Sequence, residues 1–178
     1  MFVIFALPRS RTAWLSTFLT HKGWTCHHDL VAKCADMMEI ETALRMPRVG
    51  LADTGAAHGW RVIRAAFPAA QFITVRRHLD NVKESLAGQG IDPSWADLHR
   101  LNHKLDEIEA QAGTIRLEYG NLSREDAMRT LVERTGQEFD RERWLMMRSL
   151  NIQIDMPQRL AILAMNRERL SALKQAVA

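Results

Sequence analysis

The first twenty residues, MFVIFALPRSRTAWLSTFLT, constrain the fold more than any other stretch. Phe2 to Ala6 is a run of five apolar residues bounded by Pro8, the pattern of a short buried strand. From Thr12 to Leu19 the apolar residues Trp14, Leu15, Phe18 and Leu19 recur as the stripe of an amphipathic helix. The connection, LPRSRT, is a tight strand-to-helix turn with two arginines and two hydroxyls. A helix N-terminus exposes unpaired N–H groups and a partial positive charge, so an anion can bind there. Arg9 and Arg11 add fixed charge and forked donors that match phosphate or sulfate oxygens. Taken alone, the same turn also reads as a helix start whose arginines are solvated.

The 178 residues amount to about one domain. With 47% hydrophobic and 25% charged residues, the chain has the composition of a globular protein able to bury a core. A formal charge of +3 and a pI near 9.2 suit anionic ligands and are too mild to announce a nucleic-acid binder. Cys26 and Cys34 make neither a disulfide framework nor a metal cluster, so a reduced, cytoplasmic setting is expected. The apolar N-terminus lacks a charged leader region and is interrupted at Pro8 and Arg9, which fits neither a signal peptide nor a membrane span.

Trp24 to His28 is a strand candidate ending in His27, His28 and Asp29. Adjacent histidines on a strand point to opposite faces, so a metal site is not expected here, while a substrate-facing imidazole at His28 stays open. Asp36 to Met46 has helical composition and stops at Pro47. Val49 to Ala52 reads as a strand running into Asp53-Thr54-Gly55, which can start a helix through Trp60, Ile63 and Phe67. Gln71 to Val75 is the clearest internal strand, and Leu79 to Ala87 the helix after it. Ser94 can cap a long polar helix over Ala96 to Ala112, charged on most faces and expected to be a solvated cover. Thr114 to Tyr119 is a further strand. Beyond it the chain is helical, with Trp144, Leu145, Met147 and Leu150 in one segment and Leu160 to Leu173 in another. Strands alternating with helices imply a parallel sheet with helices on both faces. Such sheets bind ligands at the carboxyl ends of their strands, where Arg9, Asp53 and Arg77 fall.

The turn is not a Walker A loop, G-x-x-x-x-G-K-[ST]. With Thr12 on the final hydroxyl, Phe5 and Ser10 stand at the glycines and Arg11 at the lysine. PRSRTAWL instead resembles the P-[KR]-S-G-T-T-W-L loop of sulfotransferases that use 3′-phosphoadenosine-5′-phosphosulfate (PAPS). Pro8, Arg9, Ser10, Thr12, Trp14 and Leu15 match. Arg11 replaces the glycine and Ala13 the second threonine. If that glycine has positive φ, arginine there costs about 1 kcal/mol. A second match is RHLDNVKES, similar to the family's R-x-x-x-D-x-x-x-S run, with Arg77 and Ser85 eight residues apart. Arg76 takes the arginine's place if the register slips by one. A third lies in Tyr119, Leu122, Leu131 and Gly136, which fit the family's strand–[Y]-E-D-L–helix–G segment, with Gly120 and Asn121 at the acidic pair. The resemblance spans about residues 1 to 139, and the family's basic, glycine-containing loop has no counterpart beyond it.

The resemblance implies one P-loop NTPase-like domain over residues 1–178, a three-layer α/β/α fold with a central parallel sheet and a helical extension from residue 140. It also implies sulfuryl transfer from PAPS to a hydroxyl or amine, without a metal. Arg9 would neutralise charge, Ser10, Arg11 and Thr12 would hold the 5′ end with it, and Arg77 with Ser85 the 3′-phosphate. The general base is expected at Asp53, then at His28; Asp53 also reads as a helix cap. The expected partners are the nucleotide and a small-molecule or polymer acceptor rather than a membrane, with nucleic acid left open. Two other readings stand: an ATP-dependent phosphotransferase on the same scaffold, and a nucleotide-binding protein that has lost the chemistry.

Overall fold

Every residue from Phe2 to Leu7 is fully buried. A strand that alternates its side chains between two faces and buries all of them must lie inside a sheet covered on both sides. The computed structural model, which describes residues 1–152 together with Met165, Glu168 and Arg169, shows this arrangement. Strand β1 (Phe2–Ala6) is central in a five-stranded sheet with β2 (Thr25–His28), β3 (Val49–Asp53), β4 (Gln71–Arg76) and β5 (Ile115–Glu118). The order is β2-β3-β1-β4-β5 and every pairing is parallel. β1 thus lies between β3 and β4, with Phe2 opposite Gly50 and Gln71.

The two faces carry separate cores. Val3, Phe5 and Leu7 point into one, with Val49 and Leu51 from β3 and Phe72 from β4. It is covered by α3 (Met37–Leu44), α4 (Trp60–Ala66), α5 (Leu79–Ala87) and α6 (Trp95–Glu109), preceded by the short α2 (Leu30–Lys33). Phe2, Ile4 and Ala6 point into the other, which α1 (Thr12–Leu19), α7 (Glu125–Arg134) and α8 (Arg141–Met147) cover. The fold is therefore three-layered, as expected. On α1 the predicted stripe of Trp14, Leu15, Phe18 and Leu19 is all buried.

One helix departs from its reading. α6 is not merely a solvated cover, because Leu98, Leu101, Leu105 and Ile108 are buried at spacings of three, four and three. Four leucine-class residues on one helical face suffice for a core contact even when the remaining positions are charged. Ser94 caps the helix as expected, accepting from the Asp97 N–H. The helix expected over Leu160 to Leu173 lies outside the described residues. No helix among the described residues is long and apolar enough to cross a membrane.

Gly50 in β3 gives the Phe2 ring of β1 the room a side chain would fill. A Cβ added there would stand 2.0 Å from Cζ of Phe2, a ring with no exposure and no room to yield. Gly50→Ala should therefore lower stability by about 1–3 kcal/mol, the usual cost of overpacking a filled core. Chemical denaturation reads this as a lower midpoint at unchanged slope.

Candidate functional site

The carboxyl ends of all five strands open on one edge of the sheet. The chain runs from β1 to β2 and β3 on one side and then to β4 and β5 on the other. This places the switch point of the topology at the end of β1, where a crevice is expected. A cleft of about 890 Å³ occupies the place. It is lined by Pro8, Arg9, Arg11 and Thr12 from the β1–α1 turn, by Arg77 and Ser85, and by Tyr119. Leu86, Ile91, Leu98 and Leu101 give it an apolar wall, and Ser149 to Ile152 close another side.

The turn is built with two residues in the left-handed region, Arg9 at φ 64° and Arg11 at φ 63°. The cost expected for a side chain at the family's glycine position thus applies to Arg11, about 1–2 kcal/mol. Between them Ser10 is fully buried, and its hydroxyl has no hydrogen-bond partner among the described residues. Buried hydroxyls are nearly always bonded in native proteins, so this one is a group a ligand oxygen could satisfy.

Arg9, Ser85 and Arg77, named separately from two motifs, meet in space. Arg9 Nε donates to Ser85 Oγ at 3.1 Å, and Arg77 Nη1 donates to the Arg9 carbonyl. The Arg77 guanidinium also lies 4.5 Å above the Tyr119 ring. Arg76 does not take this part. Its side chain is nearly buried, bonded to Glu109 at 2.7 Å, Asp106 at 2.5 Å and Asn102 at 2.6 Å. Of the two arginines, Arg77 is the one that reaches the β1–α1 turn.

Arg11 and Thr12 line the cleft but already have partners. Arg11 Nη2 donates to the carbonyls of Arg148 at 3.0 Å and Leu150 at 3.3 Å, and its guanidinium covers the Trp14 ring at 4.4 Å. Burial lowers its pKa from the ordinary value. Thr12 Oγ1 lies 3.1 Å from His28 Nε2, which is 3.6 Å from Asp29 Oδ1. His28 thus sits behind the loop.

Asp53 is placed at the end of β3 as expected, but its carboxylate faces the backbone. Oδ2 accepts from the Val31 N–H at 3.0 Å, and Oδ1 from Gly55 at 2.7 Å and Ala56 at 3.3 Å. The residue is 2% exposed, and burial raises its pKa against those bonds, with nearby Asp29 adding to the rise. That is the geometry of the cap, the other role its position allowed. Neither Asp53 nor His28 lines the cleft, whereas Asp29 and His58 do. His58 was not anticipated. It is exposed on the short 3₁₀ turn Gly55–Gly59 that Asp53 caps, and a lone histidine in GAAHG carries no pattern in sequence.

The Arg76–Glu109 pair fixes the loop that carries Arg77. Burial would raise the Glu109 pKa, but its bonds from Arg76 and Thr74 bring it below the ordinary value. A lowered carboxylate pKa gives stability that is complete above the unfolded pKa and lost as pH falls through the folded one. Arg76→Met should cost about 1–3 kcal/mol at neutral pH, because it leaves Glu109 only the Thr74 hydroxyl and the longer contact with Arg116 at 3.5 Å. Acid titration of stability should show less loss below the ordinary glutamate range in the variant than in the unaltered protein.

The sequence matches no protein-family model and no curated protein. Among solved structures, the fold is similar to the crystal structure of mouse sulfotransferase SULT7A1 complexed with PAP, at a TM-score of 0.60 and 12% identity. The superposition covers 88% of this chain and 67% of that one. This chain, with its five parallel strands between two helical layers, has a three-layer α/β fold similar to that of this sulfotransferase.

Proposed function

We propose that the protein binds a 3′,5′-phosphorylated adenosine nucleotide in this cleft and transfers a sulfuryl group from PAPS to a hydroxyl or amine. The observation that carries the reading is the meeting of Arg9, Ser85 and Arg77 at the end of β1. Two motifs whose residues stand 76 positions apart in the chain bring two cationic side chains and a hydroxyl side by side at one edge of the cleft. The buried, unbonded Ser10 hydroxyl fits a phosphate or sulfate oxygen at the same turn. The similar fold of a sulfotransferase complexed with PAP is consistent with it.

PAPS, when bound, supplies the activated sulfuryl group. Arg9, with Ser10 and Thr12 at the start of α1, would hold its 5′ end and meet the negative charge that grows on the leaving phosphate. Arg77 and Ser85 would bond the 3′-phosphate, for which Arg9 must release Ser85. Arg11 can join the 5′ end only by giving up its backbone partners. His58 is the base in this reading, since its imidazole faces the cleft and can take the acceptor's proton. Asp53 shapes the turn that presents it.

Isothermal titration provides the first test. Adenosine 3′,5′-bisphosphate should bind more tightly than AMP, and Arg77→Ala should remove about 2 kcal/mol of that preference while leaving AMP affinity unchanged. Equal affinities in the unaltered protein would overturn the cofactor assignment. Kinetics with an acceptor panel provides the second. Arg9→Ala should lower kcat about 10²–10³-fold with a smaller effect on cofactor affinity. His58→Gln should lower it about 10²–10⁴-fold with folding intact, and Asp53→Asn should act on stability more than on turnover. Loss of turnover in Asp53→Asn with His58→Gln active would return the base to Asp53.

A further inference from the structure

The segment after α8 forms part of the cleft wall, and its attachment is specific. α8 itself is fixed to α1: Arg143 donates to the carbonyls of Thr17, Phe18 and Thr20, and Trp14 Nε1 to Met147. Beyond α8, the backbone of 148–150 is tied to the anion-binding turn through the Arg11 side chain. Both bonds leave one nitrogen, Nη2, at 3.0 Å to Arg148 O and 3.3 Å to Leu150 O. A guanidinium offers an oxyanion two forks, Nε with Nη2 and Nη1 with Nη2, and each fork needs one Nη2 hydrogen. With two carbonyls on Nη2, an anion at either fork meets a competing acceptor. A two-toothed contact from Arg11 to an anion in the turn therefore competes with a strap carbonyl.

We propose that Arg11 is an anion-released latch, which holds residues 148–152 across the cleft until an oxyanion in the β1–α1 turn takes its guanidinium. An ionised acceptor outcompetes a neutral carbonyl for a charged donor, so the exchange runs toward the anion. Leu150, whose carbonyl Arg11 holds, is then free to leave the cleft, which opens toward the apolar wall of Leu98 and Leu101. The consequence is an order of binding: nucleotide first, acceptor second. The latch rests on the proposed anion site, and its ordering of substrates rests on the proposed transfer.

Hydrogen–deuterium exchange of the full chain tests it, with inorganic pyrophosphate as the probe. Arg11→Gly suits the test because glycine adopts φ 63° without strain. Arg11→Asn, also tolerant of that region, is the second variant. Without ligand, amides at 150–152 should exchange about tenfold faster in either variant than in the unaltered protein, while those of Trp144 to Met147 stay the same. Pyrophosphate should speed the same amides in the unaltered protein and leave them unchanged in both variants. Slower exchange with pyrophosphate, no response to it, or no effect of the substitutions would overturn the latch. Adenosine 3′,5′-bisphosphate and AMP, titrated separately, judge the cofactor reading: equal affinities with a responding strap defeat that reading and keep the latch.

Discussion

The return of the chain from β1 into α1 is the constraint on which the site depends. β1 is buried on both faces, so its end is fixed by the packing of both cores, and α1 must begin five residues after Leu7 to cover one of them. A turn this tight needs left-handed backbone, and here two arginines supply it rather than glycines. Each costs about 1–2 kcal/mol in backbone strain. Contacts elsewhere must offset that. For Arg11 they are the bonds to the strap carbonyls and the face of Trp14, and for Arg9 the bond to Ser85 and the one its carbonyl receives from Arg77. The strain and the proposed anion site therefore belong to one set of interactions.

The layers explain why the remaining residues arrive where they do. α5 must bury Val82 and Leu86 against the face that Val3 and Phe5 occupy. Ser85, one position before Leu86, is carried to the cleft edge by that requirement. Arg76 and Arg77 alternate in the same way at the end of β4. One is drawn into the acidic face of α6, and the other is left over the β1–α1 turn.

The sheet was legible because its strands are short apolar runs punctuated by Pro and polar turns, and the strand and helix positions around the site differ by a residue or so from those read. The sequence pattern also put Arg9 and Arg77 at strand ends and Ser85 in the helix after β4, where topology brings them together. What it could not reveal were roles decided by three-dimensional neighbours. Asp53 at a strand end looks the same whether it faces a cleft or three backbone N–H groups. His58 has no periodic or motif context, and only the capped turn sets it at the cleft. α6 misled because its polar and charged residues together outnumber its apolar ones, although four correctly spaced side chains decide its burial.

The contact between Arg9 and Ser85 bears on how such a cleft would discriminate among ligands. The two ends that would hold separate phosphates are bonded directly to each other. A ligand with one phosphate can engage the β1–α1 turn and leave that bond in place, gaining little from α5. A ligand phosphorylated at both ends must break it, which costs on the order of 1.5–3 kcal/mol for a bond from a charged donor. In return it gives Arg9 and Arg77 ionised partners, which form bonds roughly twice as strong as neutral ones. Selectivity then comes from replacing an internal bond by stronger external ones. The preformed contact penalises the wrong ligand by offering it nothing in exchange, which is how a site rejects a near-analogue without a steric clash.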